Sequence, residues 1–382
     1  MLLSERDVAV LRLLCWCRFV SPEDLLTVFT HAEVANLTST GFIKRHGKSG
    51  ALTLSGRGAE WLARLHHGPL PIAVQSYHMC AIQRRLRLSK LALTAYRAGV
   101  DVFTMTPEEL SVSPSFCFSS MTRGRGSNPW GSTRIAALTR LGSLLCGCYF
   151  LYPGIGKLSL TDELTAFSSQ TARIENVARG LIFAGESYQA IITELPASTQ
   201  KADTKLLTYG DAYRCVRLPV YLLSCDDTGT TQLQIMAVPD YRRKLTKAAL
   251  KAKYQPPPQE VPDWDALFDG VPFVMAADMD LRRVDAALEA AHKIGHPQVI
   301  LACLEEQAKA VLIPRYRSSG NVRFFGLKHE TLMQVLGHPP DPYAPPRTQY
   351  MTTKGDVVDV PLIQATGKAG KTGGKTGRHH RP

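Results

Sequence analysis

Apolar residues at Val8, Val10, Leu11, Leu13 and Leu14 follow Ser4-Glu5-Arg6-Asp7, in which a serine and an aspartate are spaced to exchange hydrogen bonds at a helix start. The pattern predicts a first helix to about Arg18. Phe19-Val20 interrupts it, and Ser21-Pro22-Glu23-Asp24 restarts it with a cap, a proline at the first helical position and two carboxylates at the positive end of the helix dipole. A second helix is therefore expected from Pro22 to about Phe29. A third, His31 to Thr40, ends at Gly41, which suits a left-handed C-cap. Residues 42–54, FIKRHGKSGALTL, read as a hairpin with a basic, glycine-rich turn, and Ser55 caps a fourth helix from Gly56 to about Leu65. This is the winged-helix order, in which the third helix enters the DNA major groove and the hairpin, or wing, meets backbone or minor groove.

Beyond Pro69 and Pro71 an amphipathic helix is predicted from about Ser76 to Ala98. Ile82, Leu86, Leu91, Leu93 and Tyr96 give it apolar faces, and Arg84, Arg85, Arg87 and Lys90 cluster on it. From residue 100 the rhythm changes. Strands are expected at Asp101–Met105, twice within 134–151, at Tyr188–Leu195 and at Pro219–Cys225, with helices at about 161–184 and 203–214. Such alternation indicates an α/β arrangement with a mixed sheet. Residues 121–132, MTRGRGSNPWGS, read as a flexible basic loop and residues 255–263, QPPPQEVPD, as a stiff linker. A smaller unit follows, with strand-like FVMAA, VILACL and VRFFGL around a helix at 280–292. Residues 337–382 are Pro-rich and then Gly-, Lys- and Thr-rich, with too few apolar side chains to offset the entropy of ordering, so disorder is expected there. The expected organisation is an α+β chain: winged helix over 1–68, basic connecting helix over 69–99, mixed α/β domain over 100–254, linker at 255–263, small α/β unit at 264–336 and basic tail at 337–382.

Charge sharpens this picture. The net +12 is unevenly spread: residues 1–100 carry 13 Lys and Arg against 6 Asp and Glu, residues 360–382 carry 5 against none, and the remainder is balanced. Positive ends on a neutral body suit phosphate-backbone binding, where neutralised phosphates release counterions, although solubility alone would also explain them. No stretch approaches the ~18 apolar residues of a spanning helix, and Glu5, Arg6 and Asp7 precede any signal-like apolar core. A cytoplasmic protein without a membrane partner is expected. The nine cysteines, mostly inside apolar segments, read as buried reduced thiols. No CxxC and no histidines at ligand spacing accompany them, and the chain lacks GxxxxGK[ST], so no metal and no cofactor is expected.

Double-stranded DNA is the expected partner. The third helix offers Asn36, Thr38, Ser39 and Thr40 but no Arg or Lys, whereas bidentate arginine to guanine is the commonest base contact, so base readout should be weak. Lys44, Arg45, His46 and Lys48 of the wing, with Arg57 at the next helix start, are candidates for phosphate contacts. Arg84, Arg85 and Arg87 would extend that surface; the alternative is a linking or dimerising helix with solvated charges.

Four segments carry a family likeness. They are the opening SERDVAVLRLLCWCRFVSPEDLLTVF, the basic hairpin after it, the long helix led by His78, and ITELPASTQKADTKLLTYGDAYR with Lys205 and Tyr209 in a K-x-x-x-Y spacing. Over residues 1–245 the chain resembles the replication-relaxation family, winged-helix proteins of plasmids and integrative conjugative elements. The resemblance implies a role in replication or DNA transfer, alongside replication or relaxosome proteins. The middle segment is also similar to a degenerate restriction-endonuclease-type core, in which an Asp and an acid-x-Lys strand hold Mg²⁺. Asp162 and Glu194 would stand for the acids, but Leu195-Pro196 follows Glu194 and the lysine is missing, so catalysis is not expected. The leading expectation is a non-enzymatic DNA-binding accessory protein of a mobile element. A transcriptional repressor, a divergent metal-dependent nuclease and a protein-interaction module stay open as alternatives, as does a homodimer.

Overall fold

The computed structural model describes residues 3–66, 70–71, 78–122, 130–131, 133–153, 160–194, 218–261, 263–317, 320–337, 349–351 and 357–359. It is a mixed α+β structure in two compact units, residues 1–73 with 342–382, and residues 74–341. Among the described residues no helix is long and apolar enough to cross a membrane.

In the first unit, β1 (Leu3–Ser4) runs into α1 (Glu5–Cys17) through the expected reciprocal cap. Asp7 N donates to Ser4 Oγ at 3.1 Å, and Ser4 N donates to Asp7 Oδ2 at 2.8 Å. Helix α2 (Pro22–Leu25) is shorter than expected, because the chain tightens into hydrogen-bonded turns that bury Leu25, Val28 and Phe29 together. Thr30 and Glu33, a capping pair not anticipated from the sequence, start α3 (His31–Ser39). Arg6 ties α1 to α3, donating from Nη2 to Val28 O at 2.9 Å and to Glu33 Oε2 at 3.1 Å. Strands β2 (Ile43–Arg45) and β3 (Leu52–Leu54) pair antiparallel, and Val20 bridges Leu52. Gly41 takes the expected left-handed conformation at φ 74°. Helix α4 (Gly56–Leu65) lies so close to the hairpin that a Cβ at Gly58 would come within 2.2 Å of Phe42 O. The expected disorder over 337–382 is corrected in part: Gln349–Met351 pairs with β1 and with Val357–Asp359. Tyr350, Met351, Val357 and Val358 are strand formers; β1 offers backbone partners to Tyr350 and Met351, which in turn pair with Val358 and Val357.

The second unit repeats one topology twice. In its first half α5 (Met79–Arg97) precedes a meander of β4 (Ser115–Phe118), β5 (Ala137–Leu141) and β6 (Leu144–Phe150). There follow α6 (Leu160–Gln170), β7 (Ala178–Gly185), α7 (Tyr188–Glu194), β8 (Val220–Ser224) and α8 (Asp227–Ala237). In the second half α9 (Tyr241–Leu250) precedes β9 (Tyr254–Gln255), β10 (Ala266–Phe268) and β11 (Val271–Met275). Then come α10 (Leu281–Ile294) and β12 (Val299–Cys303). A helical passage follows, made of α11 (Glu305–Gln307), a π-type stretch Ala308–Leu312 and α12 (Ile313–Tyr316), and β13 (Val322–Gly326) and α13 (His329–Leu336) close the half. Each sheet keeps chain order, two antiparallel junctions followed by two parallel ones. The register agrees as well. Leu141 opposes Leu144 across Gly142-Ser143, and Phe268 opposes Val271 across Asp269-Gly270. In both turns residues take positive φ, Gly142 at 61°, Asp269 at 50° and Gly270 at 79°. The leading helix packs on the closing helix in each half, α5 on α8 and α9 on α13, and α7 packs on its counterpart's π-type stretch.

Several expectations for this region are corrected. Asp101–Met105 is not a strand, since Asp101 makes a single bridge to Ser115 and its Oδ1 accepts from Phe103 N at 2.9 Å, turning the chain. The helix expected at 161–184 ends at Gln170; Asn176 is left-handed at φ 56°, and the apolar run after it is β7. Tyr188–Leu195, read as a strand, begins helix α7, with Ala190 N donating to Ser187 Oγ at 3.1 Å. Short apolar runs are ambiguous between helix and strand, and here tertiary context decides. The helix expected at 203–214, with Lys205 and Tyr209, lies outside the described residues. So does most of the basic loop, although Trp130 Nε1 donates to Thr122 Oγ1 at 2.6 Å across it.

The two halves share one core, with Leu138, Phe183 and Leu222 from the first packed in a cluster with Val274, Leu301 and Val311 from the second. Val261 and Trp264 enter it too, and Trp264 Nε1 donates to Ala287 O at 3.1 Å. The Pro-rich segment 255–263 thus runs within one packed body rather than between two. Buried cysteines line these elements with free thiols, and burial pushes those of Cys117 and Cys303 up to about 12. Polar groups also cross between the halves. Tyr188 OH donates to Gln232 Oε1 at 2.5 Å, Gln307 Nε2 donates to Tyr188 OH at 3.1 Å and to Ala277 O at 2.9 Å, and Gln232 Nε2 donates to Leu222 O and Asp278 O, each at 2.8 Å.

A buried ionic cluster occupies the second half. Arg242 donates from Nε to Asp278 Oδ2 at 2.7 Å, with Nη2 at 2.6 Å, and Tyr241 OH donates to the same oxygen at 2.6 Å. Burial alone would raise Asp278, yet Arg242, Arg283 and its hydrogen bonds outweigh burial and hold it below the usual carboxylate range. Asp280 goes the other way: burial, then the Asp278 charge beside it, raise it to about 6. An unfolded aspartate titrates near 3.9, so the folded state binds this proton more tightly. Asp280 therefore costs stability at neutral pH, and the cost is relieved as pH falls from about 6 towards 4. Asp280→Asn keeps an oxygen to cap Arg283 N and removes the charge. We expect it to raise stability at pH 7 by roughly 1–2 kcal/mol in urea unfolding and to flatten the pH dependence between 4 and 6. A variant less stable than the parent at pH 7 would contradict this assignment.

Candidate nucleic-acid interface

The first unit gathers the polar face of α3 and the hairpin around one groove of about 550 Å³, to which Glu23, His31, Thr38, Ser39 and Arg45 contribute. Asn36, Thr38 and Ser39 are exposed on α3, as expected. The hydroxyls of Thr38 and Ser39 are bonded back along the helix, however: Thr38 Oγ1 donates to Val34 O at 2.7 Å and Ser39 Oγ to Asn36 O at 3.0 Å. Each can still accept a hydrogen bond, but its proton is committed. Thr40 is half-buried, with Oγ1 donating to Asn36 O at 2.6 Å, and Arg57 Nη1 donates to Thr40 O at 2.8 Å while its guanidinium lies 4.8 Å from the Phe42 ring centroid. Thr40 and Arg57 therefore help close the α3–β2 corner from within the module.

The hairpin supplies the exposed charge. Ile43 is buried, Lys44 and Arg45 are exposed on β2, and Lys48 is exposed in the turn. His46 is half-buried, edge-on to Phe19 at 5.5 Å, with Nδ1 at 3.0 Å from Ser49 Oγ. Its backbone shapes the tip, because His46 O accepts from Ser49 N and Gly50 N and His46 N donates to Ala51 O. Glu23 and His31 at the groove were not singled out from the sequence; each sits at a helix start, where a capping reading absorbs it.

The other arginines belong to the second unit and divide by role. Arg85 Nη1 donates to Ser120 Oγ at 2.8 Å. Arg84 and Arg87, three residues apart on α5, face a small recess shared with Arg134 and Tyr152, and the Arg87 guanidinium lies 3.8 Å from the Tyr152 ring centroid. Arg134 and Tyr152 carry no linear signal, because sheet pairing brings them to α5 from some fifty residues away. A larger cleft of about 540 Å³ opens beside Tyr221, Tyr241 and Arg242, where the arginine is already paired with Asp278. The two carboxylates considered for a nuclease centre are not on strands: Asp162 is exposed in the first turn of α6, and Glu194 is the last residue of α7. No family model, no characterised protein and no solved structure matches the chain.

Proposed function

We propose that this chain is a non-enzymatic DNA-binding accessory protein of a mobile element, in which residues 3–66 act as a winged helix on duplex DNA. The observation that carries the reading is the exposed Lys44-Arg45-Lys48 hairpin, whose Arg45 shares a groove with the polar face of the third helix. Lysine and arginine on such a turn neutralise phosphates and position the protein, while α3 offers acceptors and no cationic base reader. That balance favours backbone binding with weak sequence preference over a repressor, which needs strong discrimination between sites. The resemblance to the replication-relaxation family points the same way, towards replication or DNA transfer.

Replacing Lys44, Arg45 and Lys48 by alanine is expected to weaken binding about a hundredfold near 50 mM salt, similarly for all sequences, and to flatten the salt dependence by two to three units of log–log slope. Asn36→Ala is expected to alter sequence preference instead. If the triple variant bound as tightly as the parent, the hairpin would not be the contact surface.

A further inference from the structure

The two halves of residues 74–341 allow one half to be read against the other. In the second half the leading helix α9 aims Arg242 at residues just past the third strand, where it meets Asp278 at 2.6 Å and Asp280 at 3.6 Å. Counting from the matching hairpin residues Val271 and Leu144, Asp278 falls where the first half has Leu151, and Asp280 where it has Pro153. The first half carries arginines on its leading helix too, Arg84 and Arg87, and has no carboxylates at the positions that pair with Arg242 in the second half. Arg134, just before β5, also lines the same recess of about 40 Å³, which is too small for a nucleotide. Glu163 is buried next to Arg134 and accepts from Arg134 N at 2.7 Å; burial pushes its carboxyl above the usual range, while the Arg134 backbone bond and charge pull it back. The Arg87 guanidinium lies 3.8 Å from the Tyr152 ring centroid, a cation–π contact that uses the ring face and not the N–H donors an oxyanion would take.

We propose that Arg84, Arg87 and Arg134 form a phosphate-binding notch, a second contact to the DNA backbone that rests on the DNA-binding reading above. An external phosphate supplies the negative charge that Asp278 supplies to Arg242 in the other half, although the buried Leu151 at the matching position does not itself line the recess. Arg84 and Arg134 are exposed, so their replacement should leave the fold intact.

The test uses the full chain and a random-sequence duplex, with fluorescence anisotropy across roughly 50 to 200 mM salt. R84Q/R134Q is expected to bind about tenfold more weakly, with a log–log salt slope shallower by about one, the loss of one phosphate contact. Arg87→Lys, which keeps the charge and loses the planar stack, should fall between this variant and the parent. If R84Q/R134Q matched the parent in affinity and slope while the hairpin variant lost binding, the notch would be overturned and the DNA reading would stand. If the parent bound no duplex, the DNA reading would fall, and inorganic phosphate would decide the notch. A rise in Tm for the parent but not for R84Q/R134Q would keep the anion site, and equal shifts in both would remove it.

Discussion

Gly229→Ala is expected to destabilise residues 74–341 by about 3 kcal/mol or more, seen as a lower midpoint in urea unfolding. Gly229 lies in the first turn of α8, where its N–H donates to Asp226 Oδ1 at 3.0 Å, and the helix start presses directly on the end of β8. A Cβ there would stand 1.6 Å from Ser224 O and 2.7 Å from Ser224 C, both backbone atoms that no rotamer change can move. Helix α8 would have to retreat by roughly 1.5 Å in an interior packed like a crystal. Three residues on, Gln232 is fully buried and donates to Leu222 O and Asp278 O at 2.8 Å, so the retreat also breaks the polar link between the halves. An unsatisfied buried amide adds about 1–3 kcal/mol to the steric cost. A change below about 1 kcal/mol would mean that α8 is not seated on β8 in this way.

Arg242→Met should rank beside it, at about 3–5 kcal/mol near neutral pH. The substitution keeps most of the apolar stem and removes the cation facing Asp278, a fully buried carboxylate, and Asp280 next to it. A buried ion pair adds little net stability over a well-packed apolar pair, but removing one partner strands the other charge. Asp278 would then be forced towards its protonated form, so the deficit should shrink as pH is lowered towards 4. A double-mutant cycle with Asp278→Asn isolates the pair: the double variant should be less destabilised than the sum of the singles. Additive losses would show that Arg242 acts through packing rather than through the carboxylates.

The first unit was legible in the sequence to a degree the second was not, and the reason is local chemistry. Ser4, Ser21, Gly41 and Ser55 punctuate short helices with caps whose hydrogen bonds span three or four residues, so a linear reading recovers them. Core strands β7 and β8 hold the short apolar runs Leu181–Ala184 and Val220–Leu223, and α7 holds a similar short run, Ala190–Ile192. Nothing local separates these, and the assignment is made by packing across the sheet. The repeat of topology was hidden for a related reason. Leu141-Gly142-Ser143-Leu144 and Phe268-Asp269-Gly270-Val271 build the same turn from different residues, and the leading helices differ in length, 19 residues against 10. The notch depends on Arg134 and Tyr152 meeting α5, a relation set by strand order alone. Of the candidate DNA contacts, Lys44, Arg45 and Lys48 were readable as exposed because a basic glycine-rich turn has few other places to go. The back-bonded hydroxyls of Thr38 and Ser39 and the corner-closing role of Arg57 required coordinates.

Duplex binding through the hairpin of the first unit, as proposed above, leads to a simple experiment. The most direct measurement is duplex affinity by fluorescence anisotropy over roughly 50 to 200 mM salt, for the parent and for the Lys44, Arg45, Lys48 alanine variant. The logarithm of the parent's affinity is expected to fall linearly with the logarithm of salt, and the variant to bind more weakly with a slope shallower by two to three units. A parent that shows no salt-sensitive binding, or a variant that keeps both affinity and slope, would contradict this reading.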